Sequence, residues 1–327
     1  MKILRVGDPH VRHNNIDESD RLFEFVVEVA LAQKVDRIEI LGDLFHTHSI
    51  VRLEVLDFWN HWLDHLSDVC EVVVLVGNHD QSGRDDVAFN ALSIFQRLRK
   101  KNLRIIEFGT VLSPFAYMPY EGNKERFIEV VNGMADNYGA TFLVCHQTVE
   151  GSKYDNGIFA PDGVDPKAIS PKYVGVLSGH IHTEQEFDRF TYPGTPRWDS
   201  VSDANKRKGI TLYYHEDSTG KITGREFFST ERVCSPIVEY SWKEGEEAPV
   251  IPENARVSIE LIGTSDWVAA KKATLKGHVK IKTKITDRRR AVDRQFNSTL
   301  EEFLKNMFVT TMDREHLLIY AKEIGVL

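Results

Sequence analysis

Cysteine is scarce in this chain, and its three copies stand far apart. Cys70, Cys145 and Cys234 form no Cys-x-x-Cys pair among the 327 residues. This spacing excludes a disulfide framework and a cysteine-ligated zinc site, and it suits a reducing compartment. Apolar runs are also short, since none approaches the roughly 20 residues of a membrane-spanning helix. The first ten residues soon reach charged side chains, so they predict a strand and not a secretory signal. We therefore expect a cytoplasmic protein without membrane contact.

The chain also lacks a Gly-x-x-x-x-Gly-Lys-Ser/Thr loop, so any dependence on ATP must come from a partner. Its 41 Lys and Arg are outnumbered by 49 Asp and Glu, which gives a net charge of −8. A nucleic-acid partner is still compatible with this charge, but binding it would require a local basic surface or metal ions. The length predicts two domains, or one large domain with an appendage.

Short apolar runs alternate with helical patterns through the first half of the chain. Such alternation indicates an α/β fold in which helices cover the sheets on both faces. Ser19 or Asp20 is the expected N-cap of a first helix that runs to Gln33. The expected strands are 2–6, 37–41, 72–76, 103–107, 141–145 and 173–177, and the further expected helices are 53–66, 87–98 and 125–134.

After His182 the pattern changes to hairpins, with strands predicted at 186–192, 209–215 and 224–230. A short β-α-β module is predicted at 257–285, with Thr264 as the N-cap of its helix and Gly277 at its end. A polar, basic stretch then indicates a linker, and apolar stripes from Ser298 and from Asp313 predict two terminal helices. The expected domains are 1–232, 233–287 and 288–327.

Five short motifs rich in Gly, Asp, Asn and His each follow an apolar run. They are Gly7–His10, Gly42–His46, Gly77–Asp80, Cys145–His146 and Gly179–His182. Because sites in α/β sheets form outside the carboxyl ends of the strands, we expect these side chains to share one crevice. Carboxylate, amide oxygen and imidazole together suit manganese, iron or zinc. The candidate ligands are Asp8, His10, Asp43, Asn78, His146, His180 and His182, enough for two ions if one carboxylate bridges them.

In this order the motifs resemble the DxH, GDxx, GNHD, H and GHxH blocks of the calcineurin-like metallophosphoesterases. Two further segments narrow the resemblance to the SbcD-type DNA repair nucleases, the family that includes the meiotic-recombination-eleven nucleases. These segments are Gly42–His46 and the Tyr192–Pro196 stretch, which is followed by Lys208-Gly209. The module at 257–285 is similar to that family's DNA-capping domain. The terminal helices occupy the place where the family docks onto an SMC-like ABC ATPase.

The resemblance implies a role for each motif residue. One metal ion would be held by Asp8, His10, Asp43 and His182, and the other by Asp43, Asn78, His146 and His180. His79 would contact the scissile phosphate, Asp80 would orient His79, and His46 would position the strand for exonuclease cleavage. Mn²⁺ is the expected ion, with Mg²⁺ as the alternative. Pro9 and Arg12 depart from the family's first block, and Arg12 is expected to alter the entry of the groove.

Basic loop residues near the motifs are candidates for contact with DNA, although each is equally compatible with a solvated side chain. They are Arg12, His13, Arg84, Lys153, Lys206 and Arg207. The helices at 53–66 and 87–98 are unusually rich in aromatic residues, and the family forms its homodimer at these positions. His61 and His65 imitate zincin spacing, but Trp62 replaces the required Glu, so an exposed helical pair is the better interpretation.

The leading hypothesis is a dinuclear-metal-dependent DNA exonuclease and endonuclease. Such an enzyme would act in double-strand break processing, recombination and repair, with an SMC-like ATPase. A phosphomonoesterase or cyclic-nucleotide phosphodiesterase on the same core is the alternative, and a scaffold with an inactive site is the third possibility. The chain has no long basic tail of the kind found in eukaryotic members, so a bacterial or bacteriophage source is expected.

Overall fold

The computed structural model describes residues 1–48, 50–83, 89–98, 101–275 and 279–286. The chain divides into two compact units. The first comprises residues 1–238 with 252–256, and the second comprises 239–251 with the residues from 257 onward. The predicted helices that follow Ser298 and Asp313 lie outside the described residues, and the predicted domain boundaries stay predictions. Among the described helices, none has the length and apolar character needed to cross a membrane.

The first unit contains a six-stranded sheet in the order β12-β11-β1-β2-β3-β4. Its strands are β1 (Lys2–Val6), β2 (Arg37–Ile40), β3 (Glu71–Leu75), β4 (Leu103–Ile106), β11 (Gly209–His215) and β12 (Ile222–Ser229). Strands β1 to β4 run parallel, whereas β11 and β12 pair antiparallel at one side. Helices α1 (Ile16–Gln33) and α2 (Leu53–Val69) pack together against this sheet, with Phe23, Trp59 and Leu63 fully buried.

A second six-stranded sheet in this unit has the order β5-β6-β7-β8-β10-β9. Its strands are β5 (Thr110–Leu112), β6 (Phe115–Met118), β7 (Phe142–Cys145), β8 (Gly175–Ser178), β9 (Gln185–Phe187) and β10 (Phe190–Tyr192). Helix α3 (Lys124–Tyr138) begins at Asn123, whose side chain accepts the Arg126 N–H, and ends at Gly139 in the left-handed conformation. Gly139 suits this end because it has no Cβ to clash there.

The two sheets pack face to face because side chains alternate along each strand. On β1, Leu4 and Val6 join the core that contains the helices α1 and α2, whereas Ile3 joins the core between the sheets. Phe115 and Phe142 reach the same core from the second sheet. The expected α/β fold of sheets sandwiched between helices is confirmed.

A buried polar network also lies between the sheets. Arg5 donates to Glu39 at 2.7 Å, both side chains are fully buried, and Tyr117 donates to the same carboxylate. Arg5 donates as well to His215 Nε2 at 2.7 Å, while His215 Nδ1 donates to the Gly220 carbonyl at 2.5 Å. Burial and the neighbouring Arg5 lower the pKa of His215 to about 3, so this imidazole is neutral.

Most residues of a three-stranded sheet, in the order β13-β14-β15, belong to the second unit. Its strands are β13 (Ile237–Lys243), β14 (Arg256–Gly263) and β15 (Val279–Ile285), and helix α4 (Ser265–Thr274) connects the parallel pair β14 and β15. Thr264 caps α4 as predicted, since its hydroxyl accepts the Trp267 N–H at 3.4 Å. The predicted end at Gly277 lies outside the described residues.

Several local expectations were wrong, each because a nearby contact decides the backbone. Helix α1 begins at Ile16 and not after Ser19, whose N–H already donates to the Asn15 carbonyl at 2.8 Å. In place of an α-helix over 87–98, the described part is a 3₁₀ helix, Ala91–Leu98, which starts where Asn90 accepts the Leu92 N–H. The single strand expected at 186–192 is a hairpin, because Asp188 turns the chain at φ 49°. Strands β5, β6 and β13 were not predicted.

We predict that His215 makes the protein less stable in acid. The unfolded chain takes up a proton on this histidine below its ordinary pKa of 6.5, while the folded protein resists it down to about pH 3. The free energy of unfolding should therefore decrease with falling pH across this window, by up to about 1.4 kcal/mol per unit.

His215→Gln keeps one donor and one acceptor, so it should reduce this slope in denaturant unfolding with chelator present. His13→Gln, at an exposed histidine, is the control. An unchanged slope in His215→Gln would contradict the prediction.

Candidate metal centre

All five predicted motifs lie in loops that leave the carboxyl ends of parallel strands. Gly7–His10 follows β1, Gly42–His46 follows β2, and Gly77–Asp80 follows β3 in the first sheet. His146 follows β7 and Gly179–His182 follows β8 in the second sheet. Since the sheets pack face to face, both sheets deliver these side chains to one crevice.

Asp8, His10 and His182 form a first group whose candidate ligand atoms lie within 4.8 Å of one another. The Nε2 atoms of His10 and His182 are 3.1 Å apart, and His182 Nε2 lies 4.0 Å from an Asp8 carboxylate oxygen. Asp8 and His10 are each 2% exposed, so solvent does not screen their charges.

A second group consists of Asp43, His146 and His180, whose candidate ligand atoms also lie within 4.8 Å of one another. Asn78 Oδ1 joins it, at 3.1 Å from His146 Nε2 and 2.8 Å from His180 Nδ1. One Asp43 oxygen, Oδ2, lies 3.4 Å from His146 Nε2 and 3.7 Å from His10 Nε2 of the first group. Asp43 therefore stands between the two groups, where the sequence predicts a bridging carboxylate.

Backbone contacts orient these ligands. His146 Nδ1 donates to the Leu41 carbonyl at 2.6 Å, which leaves the lone pair of Nε2 directed toward Asp43 and Asn78. The N–H of His180 donates to Asp8 at 2.8 Å, and the N–H of His79 donates to Asp43 at 2.8 Å. Contacts of this kind commonly fix the tautomer and direction of metal ligands.

The donor set fits two divalent cations. Asp8 Oδ1 and His10 Nδ1 are buried and find no hydrogen-bond partner within the described part of the chain. Ring nitrogens also face one another at short range, as His180 Nδ1 and His146 Nε2 do at 3.3 Å. Such contacts need a proton or a cation between them, because two lone pairs repel. Buried oxygen and imidazole donors are the ligands that manganese, iron and zinc accept.

Burial and charges in the crevice raise the pKa values of some candidate ligands and lower those of others. Burial lowers the pKa of His146, but the carboxylates of Asp43 and Asp8 outweigh burial and raise it to about 10. Burial and His146 together lower the pKa of His180 to about 3. Burial and the Asp43 charge raise the pKa of Asp8 to about 6. Since metal ions bind the deprotonated forms, binding at this centre must release protons.

The backbone is strained at the centre and tolerates little added volume. His10, Asp43 and His180 have φ values of 45°, 50° and 75°. Non-glycine residues seldom adopt this left-handed region, and such outliers cluster at functional sites. A Cβ on Gly77 would lie 2.2 Å from Asp43 Oδ1, so glycine is required for the close approach of the two loops.

His79, Asp80 and His46 also lie at the centre. The His79 ring lies 4.7 Å from that of His10, and its Nδ1 donates to the His46 carbonyl at 2.7 Å. The role expected for Asp80 in orienting His79 stays a prediction. Its carboxylate accepts the N–H groups of Phe45 and Gly77 at 3.0 and 2.9 Å. It thereby ties the second and third motif loops together, which positions His79 only indirectly.

The basic candidates have different surroundings. Arg12 reaches the centre, donating to His46 Nε2 at 3.0 Å and pairing with Asp199 at 2.8 Å. Lys206 donates to Thr183 and to the Asp155 carbonyl, and Arg207 pairs with Glu184 at 2.7 Å. His13 is exposed, and Lys153 is exposed with its ammonium 4.8 Å from the Phe159 ring centre. Arg84 lies outside the described residues.

Two residues at the centre were missed by sequence reasoning. Asp155 Oδ2 lies 3.4 Å from His182 Nδ1, and the Tyr120 ring stacks on His180 at 5.7 Å. Neither follows a strand-end motif, so no local signal marked them. The dismissed candidates lie where expected: His61 and His65 are exposed on α2. Cys145 is buried, and burial raises the pKa of its thiol to about 12, which leaves it a poor nucleophile.

Comparison with known proteins gives matches to phosphoesterases. The model of a family described as calcineurin-like phosphoesterase matches residues 1–184. "Putative phosphoesterase 244L" of Invertebrate iridescent virus 6 is 25% identical, over 67% of this chain and 78% of that protein. Exonuclease subunit 1 of Enterobacteria phage T4 is 23% identical, over 100% of this chain and 99% of that protein. The crystal structure of TT1561 of Thermus thermophilus aligns with a TM-score of 0.42 at 12% identity, over 70% of this chain and 98% of that one.

We predict that Asp155 supports metal binding through His182. A carboxylate behind a histidine ligand fixes the ring and raises its basicity, and its loss commonly weakens metal binding about 10–100-fold. Asp155→Asn should therefore weaken one of two Mn²⁺ binding steps in calorimetric titration by about this factor.

Asp162→Asn is the matched control, because this exposed carboxylate of the same loop accepts from the Tyr154 hydroxyl at 2.7 Å. Equal affinities in Asp155→Asn and wild type would show that Asp155 has no such role.

Proposed function

Since the chain belongs to the calcineurin-like phosphoesterase family and is a metal-dependent phosphoesterase, we propose that it is a nuclease that hydrolyses the phosphodiester bonds of DNA. The observation that carries this proposal is the pair of ligand groups between which Asp43 lies. The similarity to the T4 exonuclease subunit over 100% of this chain supports a polynucleotide as the substrate. We further propose Mn²⁺ as the physiological ion, with Mg²⁺ as the alternative.

In this proposal, Asp8, His10, Asp43 and His182 hold one ion, and Asp43, Asn78, His146 and His180 hold the other. Two such ions, when bound, stabilise the attacking and leaving oxygens of a phosphate ester and activate water. The short separations between the two groups support this division, since Asp43 Oδ2 lies 3.4 Å from His146 Nε2 and 3.7 Å from His10 Nε2.

His79 is proposed to act on the scissile phosphate. Its Nδ1 donates to the His46 carbonyl at 2.7 Å, which directs the opposite ring nitrogen away from that loop. The stacked His48 ring, 4.2 Å away, restricts the orientation of His79 further. A fixed imidazole beside the ligands is suited to hold a proton for the departing oxygen. His46 lies beside it with its Nε2 held by Arg12, and we propose that His46 positions the strand.

The homodimer and the ATPase partner also remain proposals. Leu53 at the start of α2 is 79% exposed, and Phe89 just before the 3₁₀ helix is 68% exposed. Exposed apolar side chains on these two segments are compatible with a dimer surface there. The ATPase would take up the terminal apolar stripes, and DNA break processing would be the task of the assembly.

The proposal is tested by comparing substrates. Linear double-stranded DNA, single-stranded DNA, an aryl phosphate monoester and a cyclic nucleotide are incubated with Mn²⁺ or Mg²⁺. A nuclease should cleave DNA at a rate far above its hydrolysis of the monoester and the cyclic nucleotide. The reverse preference would establish the phosphomonoesterase or cyclic-nucleotide phosphodiesterase instead. If the protein bound no metal and hydrolysed none of these substrates, a scaffold with an inactive site would be the remaining hypothesis.

Asp43→Ala should abolish hydrolysis and lower the occupancy of both ions, because it removes the oxygen that lies between the two ligand groups. Metal analysis of the purified variant by mass spectrometry measures this directly. Asp162→Ala, at an exposed carboxylate outside the groups, is the control. Two ions per chain in Asp43→Ala would refute the bridging role.

His79→Ser should reduce turnover by about 10²–10⁴-fold, the usual contribution of a positioned proton donor. Metal content and DNA affinity should stay near those of the wild type. His79 also lies within 4.8 Å of ligand atoms of His10 and Asp43, so metal content is the decisive measurement. If the variant lost an ion, His79 would have to be reassigned as a ligand.

A further inference from the structure

A second cavity lies next to the metal centre, at the beginning of α1. Its volume is about 550 Å³. Four arginines line it, and so does His13. The arginines are Arg12, Arg21, Arg197 and Arg256. Arg12 also donates to His46 Nε2 at 3.0 Å, and the His46 ring lies 5.6 Å from that of His10. The cavity and the centre are therefore neighbours, with Arg12 and His46 between them.

The lining has an excess of positive charge. Its two carboxylates are Asp17 and Glu18, and Glu18 lies 3.7 Å from Arg197 and accepts the Ser235 N–H at 3.0 Å. Asp199 pairs with Arg12 at 2.8 Å and with Arg197 at 3.2 Å, so the excess charge belongs to Arg21 and Arg256. Arg21 donates to the Val233 carbonyl, and Arg256 donates to the carbonyls of Trp198 and Ser235. These contacts use hydrogen-bond donors but do not neutralise charge, so the two guanidinium groups retain their attraction for an anion.

The buried side chain of Arg197 also lines the cavity. Its side chain is 3% exposed, yet its Nε finds no hydrogen-bond partner within the described residues, and the same is true of the buried Nε of Arg12. Burial lowers the pKa of Arg197, which reflects the cost of holding a charge there. A buried donor left unpaired is unfavourable by about 1–3 kcal/mol.

We propose that this cavity binds a phosphate group of a polynucleotide, adjacent to the phosphate that is cleaved. Guanidinium groups match the geometry of phosphate oxygens, and the N-terminus of α1 adds a favourable dipole. A substrate with one phosphate would occupy only the centre, whereas a polynucleotide strand presents further phosphates at regular spacing. The proposal rests on the proposed function for its choice of DNA, and it explains how an acidic chain binds a polyanion.

Salt dependence of binding tests the proposal without hydrolysis. Fluorescent single-stranded oligothymidylate is titrated with the full chain, without metal and with chelator, at several salt concentrations. Each phosphate contact contributes about 0.7 to the slope of log affinity against log salt for a single strand. The double variant Arg21→Gln with Arg256→Gln should lower this slope by about 1.4 and weaken binding at least about tenfold.

Arg104→Gln is the matched control, because Arg104 is also an exposed arginine but pairs with Glu71 at 3.0 Å outside the cavity. Arg21 and Arg256 are exposed, and thermal unfolding checks that the double variant remains folded. An unchanged slope in the double variant, an equal loss in Arg104→Gln, or no binding by the wild type would each overturn the proposal. Weakened binding of inorganic phosphate with unchanged oligothymidylate binding would also overturn it, by assigning the cavity to a free anion.

These experiments distinguish a failure of the cavity proposal from a failure of the proposed nuclease function. If the wild type binds oligothymidylate with the expected variant effect but does not cleave DNA with Mn²⁺ or Mg²⁺, the cavity is supported and the nuclease proposal fails. If DNA is cleaved but the double variant binds like the wild type, the nuclease proposal survives and the cavity proposal fails.

Discussion

The structure depends on the close approach of two carboxylates and four imidazoles from loops of two different sheets. Asp8 and Asp43 are 2% exposed and lie beside histidine nitrogens that are themselves 3.1–3.3 Å apart. Two ring nitrogens at these distances repel unless a proton or a cation lies between them, and burial removes the water that would screen the charges. The arrangement therefore requires a rigid support, and the packed core between the sheets supplies it together with the Arg5–Glu39–Tyr117 network. Bound cations would remove the remaining repulsion.

The backbone of these loops is strained where the side chains approach one another. His10, Asp43 and His180 all adopt positive φ values, and Gly77 admits the Asp43 carboxylate where any side chain would clash. Asp80 links two of these loops through the N–H groups of Phe45 and Gly77. Strain of this kind persists only where the surroundings determine the conformation, so the packing around these loops must hold it in place.

Charge is distributed unevenly around the centre. The chain as a whole carries a net charge of −8, yet four guanidinium groups meet in one cavity beside the ligands. Arg12 belongs to both places, since it contacts His46 at the centre and lines the cavity. Local positive charge within an acidic protein directs a polyanion toward one face and disfavours its contact with the rest of the surface.

The sequence by itself determined the strands with alternating or wholly apolar patterns and the order of the motifs that follow them. The positions of β1, β2 and β11, and the seven candidate ligands at strand ends, could be read locally because burial and turn chemistry act over a few residues. Tertiary structure decided the rest. Asp155 reaches His182 from 27 positions away, and Arg12, Arg197 and Arg256 line one cavity. No short-range pattern encodes such contacts, because their partners come together only when distant segments pack.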